Sequence, residues 1–314
     1  MCIHKNGFVI RWSRDIMSSV MNSKVHLQHF IPLLSIPAAF LLPAVGQQFA
    51  PHTQWILAAM LFFSFLGFRI ADIRHLLRRP LRSVAVIGII LVVTPLVFYP
   101  LSGFLDAYAT GAMLFMLLPS AISSPAVAAL YGGEVVVATL DAVVTNLLSV
   151  ATIPIFFSLV LHETIAVSAW AILQQMAVVI LIPFAISSLI SHFFPHMARK
   201  IHHHFKIANL VLLFFLIFGI LSPNVTELRA NILNSTLILS VLFTTLVLWV
   251  VARLTARLVK KPDEATSIFC NTLLLNTGLG AVLAQNYFGP NEVLFIVFCN
   301  IVWVLLVGIV DKIK

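Results

Sequence analysis

Ten runs of about twenty mainly apolar residues follow one another along the chain with only short gaps, and this arrangement limits its fold more than any other feature. They lie at roughly 29–46, 54–71, 83–100, 109–130, 135–161, 166–191, 205–222, 232–252, 265–285 and 290–310. A helix needs about 20 such residues to cross a bilayer, and in lipid its backbone groups must be satisfied within the segment, so each run reads as a transmembrane α-helix. The gaps leave no room for a folded extramembrane domain, so function has to reside inside the bilayer. Composition agrees, with 61% hydrophobic residues, 10% charged residues and a mean hydropathy of +1.05. A soluble domain carries about a quarter charged residues, which excludes soluble-enzyme and nucleic-acid-binding readings.

The net charge of +8 is explained by where the bases fall. Lys5, Arg11, Arg14 and Lys24 precede the first run; Arg69, Arg74, Arg78, Arg79 and Arg82 follow the second; Arg199, Lys200 and Lys206 follow the sixth. Arg253, Arg257, Lys260 and Lys261 follow the eighth, and Lys312 and Lys314 end the chain. With ten spans all of these face one side, and Arg229 alone faces the other, so both termini are expected in the cytoplasm. Residues 1–28 are basic and polar without a signal-like apolar core, and read as a retained cytoplasmic leader.

The halves 29–161 and 162–314 resemble each other. Pro125 to Leu130 (PAVAAL) matches Gly280 to Gln285 (GAVLAQ), and Glu134-Val135 with Leu147-Leu148 matches Glu292-Val293 with Leu305-Leu306 at equal spacing. Five spans per half is odd, so the second half enters from the opposite face, an inverted repeat of the kind secondary transporters use. Span 4 holds Pro119-Ser-Ala-Ile-Ser-Ser-Pro125 and span 9 holds Asn271-Thr-Leu-Leu-Leu-Asn-Thr-Gly278. Pro125 removes a donor and Gly278 loosens a helix, so both spans are expected to be unwound. One such span alone reads more simply as a kink with Ser and Thr bonded back to their own backbone. Two in corresponding places point to a substrate or ion site near the midplane.

Asp141 is the ionisable residue set well inside a span, with Thr145 at i+4 on its face. It is costly in lipid and so a functional candidate, as a proton carrier or a cation ligand; the alternative is a structural carboxylate near the cytoplasmic surface. Ser123, Ser124, Asn271, Asn276 and Thr277 complete the candidate site, where half-helix N-termini favour a small organic anion. Gln174 and Gln175 are weaker candidates for lining a cavity. His202-His-His204 reads as a solvated loop, since three consecutive side chains do not converge from one helix face. No H-E-x-x-H motif, intramembrane His or paired intramembrane carboxylates support an enzyme.

At the two broken spans, and at Phe62-Phe-Ser-Phe-Leu-Gly-Phe68 in span 2, the chain resembles the bile acid:sodium symporter family, in the wider group that holds arsenite and auxin carriers. The resemblance covers nearly all of the chain. It implies an all-α integral membrane protein of ten helices in two inverted five-helix repeats, with spans 4 and 9 unwound and crossing, and a panel and a core that rock or slide. The family's Pro-Gly-Gly-x-x-Ser-Asn run reads Pro119 to Pro125 here and keeps the Pro and Ser124. Its Glu-x-Gly-x-Gln-Asn-Ser/Thr-Gly-Leu run reads Asn271 to Leu279 and keeps the last four positions. Asn271, Leu275 and Pro125 stand where the family has Glu, Gln and Asn.

The expected function is secondary transport of a small organic anion across a bacterial cytoplasmic (inner) membrane. No cofactor is expected beyond a coupling ion, either H⁺ or a Na⁺ near Ser124, Asp141 and Asn271. Alternatives are an arsenite-type efflux carrier, in which Cys270 or Cys299 would supply thiol chemistry, and a sensory or structural membrane protein that no longer transports.

Overall fold

A computed structural model describes residues 34–66, 68, 80–160 and 168–309, with the side chains of 80, 160, 199, 202–207 and 304–309 excepted. The basic leader, Arg69 to Arg79 and the side chains of His202 to His204 lie outside the described residues.

Among the described residues the regular structure is helical, apart from one isolated bridge. The helices are α1 (Ser35–Leu41), α2 (Pro43–Gln47), α3 (Thr53–Phe65), α4 (Pro80–Gly88), α5 (Thr94–Ser102), α6 (Ala109–Met116), α7 (Ser124–Leu130) and α8 (Val135–Val160). They continue with α9 (Ala169–Met176), α10 (Ile182–Phe193), α11 (Pro195–Leu221), α12 (Val225–Asn231), α13 (Ser235–Ala256), α14 (Pro262–Leu273), α15 (Thr277–Tyr287) and α16 (Pro290–Ile309). Five stretches are long and apolar enough to cross a membrane: Leu81–Met116, Val135–Leu159, Ala169–Phe193, Ala208–Asn231 and Ser235–Ala256, with a shorter apolar helix at Pro290–Trp303. The first of these turns at Asp106, whose φ of 44° leaves the right-handed helical region between α5 and α6.

Proline shapes several joints. Pro95 and Pro183 each follow a one-turn π-helix, Ile89–Val93 and Ala177–Leu181, that carries α4 into α5 and α9 into α10. A proline cannot donate to the carbonyl four residues back and its ring crowds it, and a π-turn absorbs the mismatch. The Ile89 carbonyl accepts both the Thr94 backbone amide, five residues on, and the Thr94 hydroxyl, the latter at 2.7 Å.

The helices pack in two groups. In one, α3 lies against α10 and α11, and α11 also covers α1 and α2. In the other, α14 packs on α7, α8 and α13, while α16 packs on α6, α13 and α15. The groups meet where α8 lies along α9 and where α15 touches α3 and α11. Gly278 and Gly280 allow close approach in α15. A Cβ on Gly278 would lie 3.3 Å from Leu216, and one on Gly280 only 2.5 Å from Leu118.

Two expectations about the breaks change in detail. Pro119, not Pro125, ends the first half of span 4, because the residue before a proline is driven out of helical geometry; Pro125 sits in the first turn of α7, where its missing N–H costs nothing. Gly278 likewise lies inside the first turn of α15, and the chain unwinds before it, at Leu274 (φ −95°, ψ 97°) and Asn276 (φ −75°, ψ 75°).

Candidate functional site

The two breaks, Leu117–Ser123 and Leu274–Asn276, pair with each other. Ser120 and Leu275 form an antiparallel bridge, closed by the Ala121 amide on the Leu274 carbonyl at 2.6 Å and the Asn276 amide on the Pro119 carbonyl at 2.8 Å. Each break thus satisfies groups that the other exposes, as backbone away from water requires.

Side chains extend this pairing into a buried polar network. The Ser120 hydroxyl donates to the Asn271 carbonyl at 2.8 Å, and the Ser120 amide donates to the Thr145 hydroxyl at 3.3 Å. The Ser124 hydroxyl donates to the Asn271 side-chain oxygen, while the Asn271 amide donates to the Ala138 carbonyl at 3.0 Å. Asn146 joins both breaks: its amide donates to the Ser120 carbonyl at 2.8 Å, and its oxygen accepts from Asn276 at 2.9 Å. The Asn276 oxygen caps α15 by accepting from the Leu279 amide at 3.1 Å. Thr277 is half-buried and donates to Asn300 at 3.2 Å, and the Trp303 indole donates to the Leu273 carbonyl at 3.0 Å.

Ser124, Thr145, Asn271 and Asn276 are therefore brought together, with Thr277 at the far edge. Ser123 is exposed and makes no side-chain bond to its own helix, so it stands apart. Ser120 and Asn146 are the central members that the sequence did not single out as site residues. A hydroxyl midway between two prolines, and an amide one residue past Thr145, are the signals that mark them. Cys270 and Cys299 are both buried. Gln174 is exposed, whereas the Gln175 amide is buried without a hydrogen-bond partner on either end.

Asp141 lies one turn before Thr145, fully buried, and faces a charge. The Arg82 guanidinium stands 3.8 Å from its Oδ2, and the Arg82 Nε stands 3.8 Å from Glu264 Oε2. Arg82 comes from α4, inside a helix and not in the preceding loop. Val86, one turn on, packs with Ile90, Leu91 and Ile268 and so holds α4 against α14. Glu264, in the first turn of α14, is only 4% exposed and also meets Lys261 at 3.3 Å. The site thus contains two carboxylates and a guanidinium where the sequence pointed to Asp141 alone. The Asn271 amide gives one of its two protons to the Ala138 carbonyl and adjoins the Asp141 carboxylate with the other still to place; no other hydrogen-bond donor reaches an Asp141 oxygen among the described residues.

These residues fit a Na⁺ poorly. A hard cation wants several unengaged oxygens with negative charge among them. The Pro119, Ser120 and Leu274 carbonyls accept backbone or amide protons, the Asn271 and Asn276 oxygens accept as well, and the charge of Asp141 already faces a guanidinium.

A search of curated proteins finds no match to the chain. A family model does match, over residues 28–310, and with it the chain belongs to the SBF-like CPA transporter family (DUF4137), a family of membrane transporters related to the bile acid:sodium symporters.

Proposed function

We propose that the chain is a secondary active transporter of a small organic anion, built as ten spans in two inverted five-span repeats, with its cargo handled where the two broken helices meet. The reciprocal pairing of the breaks carries this reading. Discontinuous helices in corresponding places of two halves mark substrate sites in secondary transporters. Both α7 and α15 begin at the pairing, so two positive dipole ends converge on the place an anionic group would approach. The two packed groups of helices supply a boundary along which one can rock or slide against the other.

Asp141 carries the coupling proton in this reading. It is a carboxylate within the span, among the described residues only the Asn271 amide adjoins it as a neutral donor, and its counter-charge stands at 3.8 Å, short of direct contact. Both termini face the cytoplasm of a bacterial inner membrane, the side on which every Lys and Arg except Arg229 falls.

The test is uptake of ¹⁴C-labelled organic acids into liposomes carrying the purified protein, under an imposed pH or Na⁺ gradient. At least one acid should accumulate under the pH gradient, and Asp141→Asn should abolish that accumulation. No uptake of any acid under either gradient would sink the anion reading. Undiminished pH-driven uptake by the Asn variant would remove Asp141 from the coupling.

A further inference from the structure

A Na⁺ near Ser124, Asp141 and Asn271 is one expectation from the sequence, yet the carboxylate beside the broken helices already faces a cation supplied by the fold. We infer that Arg82 is the resident cation of the site, standing in place of Na⁺, so that Asp141 binds no Na⁺ in the native protein. The inference rests on the reading of Asp141 as the charge of the candidate site, and it deepens that reading.

Three observations carry it. First, Arg82 is placed there by its helix: α4 packs on α8, the helix of Asp141, its Val86 shares an apolar cluster with Ile268 of α14, and the Arg82 side chain is only 15% exposed. Second, its Nε and Nη2 are buried and make no hydrogen bond, so among the described residues their polar neighbours are the carboxylates of Asp141 and Glu264, each at 3.8 Å. Third, a Na⁺ on an Asp141 oxygen would lie about 4 Å from the guanidinium. At the effective dielectric of a protein interior, that repulsion weakens binding about a thousand-fold. Among the described residues, the groups facing Asp141 are Arg82 from α4, Glu264 at the start of α14 and Asn271 further along it, with Lys261 behind Glu264. Glu264 shares the same guanidinium, so Asp141 and Glu264 compete for Arg82 before any solute ion arrives.

The experiment is equilibrium ²²Na⁺ binding to the purified full-length protein, which needs no cargo and so fails or stands independently of anion transport. Wild type and Arg82→Lys should show no Asp141-dependent binding. Arg82→Gln, which keeps the side chain's polarity and removes its charge, should gain a saturable ²²Na⁺ site that is lost in Arg82→Gln/Asp141→Asn. Asp141-dependent binding in wild type would overturn the inference. So would a folded, monodisperse Arg82→Gln protein that binds no Na⁺. If Arg82→Gln does not fold, thermal unfolding of wild type and Asp141→Asn in NaCl against choline chloride decides. Equal melting of wild type in the two salts supports the resident cation, and a Na⁺-specific rise that Asp141→Asn removes refutes it.

Discussion

Asn146→Leu offers the most direct test of the claim that the paired breaks are held by a specific polar network and not by packing alone. Asn146 is almost fully buried, and leucine keeps its branched skeleton of the same number of side-chain heavy atoms, so the change removes polarity while adding the bulk of two methyl groups. Two groups lose their partner across the site, the Ser120 carbonyl and the Asn276 amide. The third bond, to Ala142 at 2.7 Å, goes to a carbonyl of the same helix and leaves no orphan. A buried polar group left unpaired costs about 1–3 kcal/mol, so two cost about 2–6 kcal/mol. An ordinary hydrogen bond between membrane helices averages only about 0.6 kcal/mol, because the unfolded chain finds other partners. The two expectations are separable by reversible unfolding in mixed dodecylmaltoside and SDS micelles, followed by tryptophan fluorescence. Asn146→Leu should lose about 2–6 kcal/mol, while Ser158→Ala, whose exposed hydroxyl returns to the Ile155 carbonyl of its own helix, should stay within about 0.5 kcal/mol of wild type. A loss of about 0.6 kcal/mol or less for Asn146→Leu would refute the network as the element that holds the breaks together.

Three more outcomes follow from the same geometry. Ser120→Cys/Leu275→Cys, in a background with Cys2, Cys270 and Cys299 changed to Ser, should form a disulfide under mild oxidation, since facing residues between such bonds lie about 4.5 Å apart at Cα; failure to cross-link, read by mass spectrometry of the linked peptides, would contradict the pairing. Gly280→Ala pushes a methyl group to 2.5 Å from Leu118, and should lower stability by about 1–3 kcal/mol in the micelle assay. Trp303→Phe leaves the Leu273 carbonyl without the indole proton and should cost about 1 kcal/mol or more, with little change if a solvent molecule replaces that donor.

Much of the helical layout was legible from hydropathy. The run at 135–161 is the helix Val135–Val160, and the run at 290–310 is Pro290–Ile309, because a bilayer-length apolar segment leaves the backbone few alternatives. The weakening of two spans was legible too, since prolines, serines and asparagines stand out in a chain so rich in Leu, Val and Ile; that the two meet was implied only by the family resemblance. The cause of the second break was not. Nothing from Leu273 to Leu275 disfavours a helix, and the unwinding there comes from backbone bonds with Ala121 and Pro119, which are distant in sequence. Arg82 and Glu264 were missed for a different reason. Each lies one residue outside an apolar run yet inside a helix that starts earlier, at Pro80 and Pro262. Hydropathy reads such residues as interfacial, whereas side-chain reach and packing bring them to Asp141.

The short ladder between Ser120 and Leu275 also determines which parts of the molecule travel together. Because each break holds the other's backbone, α6, α7, α14 and α15 form one stiff frame, and a movement that separated them would strand amides and carbonyls in a low-dielectric interior. Any displacement in the proposed cycle is then expected along the seam where α8 lies on α9 and α15 lies on α3. There the contact is mainly apolar, with side-chain hydrogen bonds from Tyr287 to the Ala171 carbonyl at 2.8 Å and from Thr53 to Gln285 at 3.2 Å. In the proposed rocking or sliding cycle, a frame bolted through its peptide groups would shift as a block, and α8, which packs on α14 and α7, would carry Asp141 with it.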